Sequence, residues 1–164
     1  LATSETIVAR TSSGNVDLFE LVQEALPRDL QLGEQVSIAG AHVHLCPRAG
    51  QMFALALNEL VTNAIKFGAL GADGVVRVSW NVVDDEGERR LRLSWEEAGV
   101  PDLTAAPEHR GFGLSLIEEG LPYELGGSAA VTFGDGGVRC DIAVPAADNV
   151  ATAPDAAETS GAAG

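Results

Sequence analysis

The stretch LALNELVTNAIKFGAL, residues 55–70, decides how the rest of the chain is read. Its apolar residues recur at helical spacing, the mark of a helix with one buried face. Glu59, Asn63 and Lys66 interrupt that pattern at i, i+4 and i+7. At about 100° per residue, the three fall within roughly 60° of one another. A carboxylate, an amide and an ammonium therefore share one stripe. Burying polar groups costs free energy unless they find partners. Taken alone, the stripe fits a solvated or partner-facing helix edge.

The helix carrying it is predicted over 47–67, with Pro47 at its first position and Gly68 as the C′ stop. Upstream, NVDLFELVQEAL (15–26) has a helical pattern, with Asn15 or Asp17 as N-cap and Pro27 as terminator. QVSIAG (35–40) and HVHL (42–45) read as short strands. Downstream, VVRVSWNVV (75–83) and RLRLSWEE (90–97) alternate with period two around the turn DDEGE, an antiparallel hairpin. Residues 98–110 lack periodicity and read as a loop. GFGLSLIEEGLPYELGG (111–127) opens on glycines and becomes a helix that Pro122 breaks or restarts. SAAVTF (128–133) and VRCDIAVP (138–145) form a second hairpin across GDGG. The expected fold class is α+β, a two-layer α/β sandwich. Its sheet is mixed and mainly antiparallel, with about three helices on one face. Residues 1–14 read as a linker or the end of a preceding segment, 15–145 as one domain, and 146–164 as a disordered Ala-rich tail.

The chain has 164 residues and a formal net charge of −14. That charge argues against nucleic-acid binding, which takes a Lys/Arg surplus. A small anionic ligand stays possible, since it depends on local N–H groups and one or two cations. Cys46 and Cys140 show neither metal spacing nor a disulfide-rich pattern, which makes a reducing cytosol the default. No apolar run approaches the roughly 20 residues of a membrane span, and no secretory leader opens the chain. The expectation is a soluble, cytoplasmic domain without membrane contact. Opening on LATSETIVAR, without Met, suggests a processed chain or a piece of a longer one.

Two further elements bear on the stripe. GFG (111–113) precedes a helix, where glycines let backbone approach a ligand and free N–H groups attract anions; glycines there are also often simple turns. In WEEAGVP (95–101), alternation places Leu91, Leu93, Trp95 and Glu97 on one inward face. A carboxylate thus lands where apolar side chains belong, and a buried one needs a donor such as an adenine amine. A partly exposed strand end is the alternative.

In order and character, these elements resemble the nucleotide site of the GHKL ATPase/kinase superfamily, with its Bergerat-type fold. LALNELVTNAIKFGAL, WEEAGVP, LPYELGG and GVRC together resemble the catalytic ATP-binding domain of HWE-type histidine kinases, over about 15–145. The resemblance implies ATP and Mg²⁺ as ligands. Asn63 would coordinate Mg²⁺, Lys66 would neutralise phosphate charge, and Glu59 would hold a metal-bound water or orient Asn63. Glu97 would accept from the adenine amine, with Gly99 giving the base room. Gly111, Gly113 and Leu114 would line the phosphates at the edge of a lid over roughly 98–112, and Arg110 would reach the terminal phosphate. Trp95 is expected to pack in the core.

The sequence departs from that family twice. Asn58 stands where the family has a His, giving NEL for HEL; an amide keeps a donor and an acceptor but does not titrate. Of the three histidines, His42 and His44 lie in a strand-like run and His109 in the loop, so none suits a helical phosphoacceptor. The expected function is therefore phosphoryl transfer from ATP to a histidine outside this chain. Its expected partners are a phosphoacceptor segment, an N-terminal sensor and a response regulator. The alternative is a degenerate or anti-sigma-like module acting by protein binding.

Overall fold

Two long hairpins set the architecture. The computed structural model describes residues 14–30, 34–101 and 111–151. Strand β1 (Val16–Asp17) runs into helix α1 (Leu18–Ala25), whose N-cap is Asp17: its Oδ1 accepts from the Phe19 N–H at 2.8 Å. Strands β2 (Val36–Ala39) and β3 (His44–Leu45) follow, then helix α2 (Pro47–Lys66). A 3₁₀ turn, Ala69–Gly71, leads to β4 (Val75–Asp85) and β5 (Glu88–Ala98). Their two-residue connection, Glu86 (φ 53°) and Gly87 (φ 89°), has the left-handed backbone that matches strand twist. Both strands run further than alternation alone suggests.

The next helical run consists of α3 (Phe112–Ser115), a π turn (Leu116–Gly120) and α4 (Leu121–Leu125). Regular α-helix restarts as α4 at Leu121, with Pro122 in its first turn, in line with the restart that the sequence suggests. The Leu121 N–H bonds back to the Leu116 carbonyl, and this widened turn accommodates a ring that would crowd a regular α-helix. Strands β6 (Ser128–Gly134) and β7 (Gly137–Pro145) form the second hairpin.

The five-stranded sheet has the order β2-β4-β5-β7-β6, parallel only between β2 and β4. Register aligns Val78, Trp95 and Cys140 across three strands, and Trp80, Leu93 and Ile142 beside them. These side chains form one core with Leu18, Leu21, Phe53, Leu57, Ile117 and Leu121 of the helical layer. Arg77, Arg92 and Arg139 point to the solvent face, as period two requires. The expected two-layer, mainly antiparallel fold is the one found. No helix among the described residues is long and apolar enough to cross a membrane.

Two expectations need correction. Gly68 is not a left-handed C′ stop: its φ is −119°, and the helix passes through Phe67 into the 3₁₀ turn. Its missing side chain is needed for space, because a Cβ there would collide with Glu97 Oε1 and lie 2.9 Å from Ala64 Cα. Nor does structure stop at Pro145. Residues 146–149 form α5 (Ala146–Asn149), and Asn149, 3% exposed, donates from Nδ2 to the carbonyls of Leu125 (3.1 Å) and Pro145 (2.8 Å). The Cys46 N–H donates to the Asn149 carbonyl at 2.8 Å, and Val150 bridges Leu45. The tail expected from 146 therefore yields its first six residues to the fold, while 152–164 and the linker residues 1–13 lie outside the described part.

Candidate active site

Helix α2 is the spine of the site. Phe53, Leu57, Leu60, Val61 and Ala64 are buried in the core. Glu59 and Asn63 are half-buried, and Lys66 is exposed. Seven residues at about 1.5 Å each spread the stripe over about 10 Å of helix. Among the described residues, no hydrogen bond or ion pair engages these three side chains.

The glycine motif meets the stripe at Glu59. A Cβ added to Gly113 would collide with Glu59 Oε2 and lie 2.9 Å from its Cδ. Close approach between the start of α3 and this carboxylate thus depends on Gly113 being glycine. Gly111 is different: it is the N-cap of α3, and a Cβ there meets nothing within 4 Å. Leu114 is buried in the core, and its N–H donates to the Gly111 carbonyl at 3.2 Å. Among the described residues, that leaves the Phe112 and Gly113 N–H groups without an acceptor at this helix start.

The other end of α2 meets Glu97. Only 6% exposed, Glu97 lies in register with Val76 and Val138. The Ala69 N–H donates to Oε1 at 2.9 Å, and the Trp95 indole N–H donates to Oε2 at 3.0 Å. Burial pushes the Glu97 carboxyl above the ordinary 4.5, while these two donors pull it back part of the way. Gly99, at φ +78°, turns the chain beyond β5, and a Cβ there would stand 3.2 Å from Gly74 Cα.

Sequence reasoning placed Trp95 in the core, where it is fully buried, but missed its bond to Glu97. The available signal was their i, i+2 spacing, which puts indole and carboxylate on the same face. Ala69 carried no such signal, since any residue has an N–H. Arg110 and His109 lie outside the described residues, as do positions 102–110 of the expected lid.

His42 and His44 are exposed, and neither stands on a helix. His42 Nδ1 lies 2.5 Å from Asp17 Oδ2, and its ring lies tilted against Phe19, with centroids 5.3 Å apart. Burial raises the Asp17 carboxyl, but His42 and the Phe19 N–H outweigh it and hold the group below 3.8. Cys140 is no nucleophile: burial, with Asp141 and Glu118 nearby, pushes its thiol up to about 12.

A concavity of about 880 Å³ lies elsewhere, against the outer face of the sheet, with Ser79, Asn81, Ser94, Arg92 and Arg139 in its lining. Its arginines are paired, Arg92 with Asp85 and Arg139 with Glu96 and Asp141. The α2 site, by contrast, is where polar side chains without a hydrogen-bond partner among the described residues converge.

The fold is a kinase-type α/β sandwich of the GHKL superfamily. The histidine-kinase catalytic domains are the family to which the chain belongs. It is 32% identical over 120 residues to a blue-light-activated histidine kinase of Brucella ovis, covering 73% of this chain and 24% of that protein. The namesake kinase of Brucella anthropi is 30% identical over 147 residues, covering 88% of this chain and 30% of that one. The chain thus spans about a quarter of the curated relatives it matches. Among solved structures, the Erythrobacter litoralis EL346 blue-light activated histidine kinase superposes with a TM-score of 0.63 at 18% identity, covering 87% of this chain and 51% of that one. The catalytic domain of the histidine kinase ThkA gives 0.56 at 19%, covering 80% and 94%. No family model matches the chain.

Proposed function

We propose that this chain is the ATP-binding catalytic part of an HWE-type sensor histidine kinase. It transfers the γ-phosphoryl group of ATP to a histidine outside this chain, in two-component signalling. The observation that carries this reading is the convergence of three separate motifs on one helix. Gly113 abuts Glu59 at one point of α2, and Ala69, just past its other end, holds Glu97.

Phosphoryl transfer needs positioning and charge neutralisation more than a strong base. Lys66, exposed at the end of the stripe, neutralises phosphate charge. The Gly113 N–H, with Gly111 leaving open space beside it, faces the phosphates. Glu97 accepts from the adenine amine, and the turn at Gly99 leaves room for the base. Mg²⁺, held by Asn63 and through water by Glu59, would supply the remaining charge neutralisation, since that ion takes few protein ligands and keeps several waters. The donor set fits it: an amide and a carboxylate one turn apart, both half-buried and without hydrogen-bond partners among the described residues. The acceptor segment, the sensor and the response regulator are partners in the longer protein, and the domain works in the cytoplasm.

Asn58 favours a second reading, a kinase-fold module that acts by protein binding and uses ATP weakly or not at all. Calorimetry with ATP and Mg²⁺, followed by transfer of labelled phosphate to a histidine-bearing segment, separates the two. Binding with transfer supports the kinase, and binding without transfer supports the module. No binding at millimolar nucleotide by folded protein sinks the kinase and leaves the module that acts by protein binding alone.

A further inference from the structure

Trp95 and Glu97 are two residues apart on β5, so both face the helical layer. Trp95 has no exposed surface, and its indole cannot turn without disturbing Val78 and Cys140 on the flanking strands. The other tryptophan, Trp80, gives its N–H to the Ala41 carbonyl at 2.8 Å, and a Cβ on neighbouring Gly40 would collide with its ring. Trp80 is thus an architectural residue. Trp95 differs in giving its N–H to a carboxylate.

The two donors to Glu97 come from different directions and go to different oxygens. One is a backbone amide fixed by the 3₁₀ turn, the other a ring fixed by the core. Between them they set the plane of the carboxylate. A carboxylate has about four acceptor sites, and these donors occupy two. Both present hydrogens, so a protonated Glu97 would have to aim its own O–H at a site contested by an N–H.

We propose that Trp95 is a positioning residue for nucleobase selection: its indole N–H holds Glu97 as an ionised, fixed acceptor that takes an exocyclic amine and rejects a carbonyl. The proposal rests on the reading that Glu97 faces the base. An acceptor-only carboxylate matches the adenine amine and repels the guanine O6. The two N–H donors oppose the upward push of burial on Glu97, and no charged side chain is among the groups that shift it.

The test compares Trp95→Phe, which keeps an aromatic ring and removes the donor, with Glu97→Gln and Trp80→Phe in the full chain. Carbon-13 NMR of the Glu97 carboxyl in nucleotide-free protein gives its titration midpoint, and calorimetry gives the ATP and GTP dissociation constants. Trp95→Phe is expected to raise the Glu97 midpoint and to cut the preference for ATP over GTP about tenfold, the scale of one hydrogen bond to a charged group. Trp80→Phe is expected to move neither. An unmoved midpoint in folded Trp95→Phe overturns the positioning role. A moved midpoint with full ATP preference retained in Glu97→Gln instead removes Glu97 from the base, and Trp95 from selection with it.

A measurement on the unaltered protein guards against a variant that fails to fold. The nitrogen-15 indole resonance of Trp95 is expected to shift with the Glu97 titration, while that of Trp80 does not. A Trp95 resonance indifferent to that titration overturns the proposal.

Discussion

The Ala69 N–H and Glu97 Oε1 are joined by a 2.9 Å hydrogen bond that ties the chain leaving α2 to the end of β5. It brings the helix of the polar stripe and the strand of the W-x-E motif, 28 residues apart in sequence, into one rigid unit. The cost of that arrangement is a carboxylate in the core, and its effects are measurable.

Glu97 makes stability depend on pH. Its folded carboxyl lies above 4.5, so the native state binds this proton more readily than the unfolded chain does. The contribution is fully present below the unfolded value and is lost as pH rises through the folded one. Urea unfolding from pH 4 to 8 should show the wild type losing stability relative to Glu97→Gln as pH rises through that window. A difference independent of pH counts against the raised carboxyl.

The three glycines of the site should respond differently to alanine. Gly111→Ala meets open space and should leave stability unchanged, while a methyl in the room kept for the phosphates should weaken nucleotide binding. In Gly113→Ala the new methyl meets the mobile end of Glu59. Glu59 can swing away, so the stability cost should stay below about 1 kcal/mol. Phosphoryl transfer should fall on the order of ten- to a hundredfold, as misplaced catalytic groups do. Gly68→Ala presses on a carboxylate held at both oxygens and on helix backbone, and should cost about 1–3 kcal/mol by denaturation.

Asn63→Ala removes a half-buried side chain with no hydrogen bond among the described residues. Thermal melting should register a change of about 1 kcal/mol or less. Calorimetry should show the Mg²⁺-dependent part of ATP affinity gone. Affinity that still rises with Mg²⁺ removes Asn63 from the metal.

Asn149→Ala removes the donor shared by the Leu125 carbonyl, in a buried contact, and the Pro145 carbonyl, in a part-buried one. It should cost about 1–3 kcal/mol in urea. A chain ending at Pro145 should lose more, because the Cys46–Asn149 and Val150–Leu45 contacts go as well.

The two thiols should separate in a reactivity assay. Cys140 is fully buried and pushed up to about 12, so it should react only after unfolding. Half-buried Cys46 should react first in the native protein.

Alternation and turn chemistry made both hairpins legible, because period two and left-handed turn residues are local properties. The stripe on α2 was legible for the same reason, since helical geometry places Glu59, Asn63 and Lys66 without reference to anything else. What escaped depends on distant partners. Gly68 looks like a helix stop until Glu97 arrives beside it from another element. Residues 146–151 look like tail because their composition is small and polar, while their place is set by Asn149 reaching Leu125 and by Val150 reaching Leu45. The restart at Pro122 was legible, but the widened turn before it leaves no mark in the local pattern.

The bridge between Val150 and Leu45 has a mechanical consequence. Strand β3 has β1 on one side and Val150 on the other. The first and last parts of the described fold therefore lie two strand spacings apart, about 10 Å. Both sit beside the N-cap of α2, Cys46, roughly 26 Å along the helix from Asn63. A twist applied there enters at the root of the helix, and the polar stripe rides on its far half.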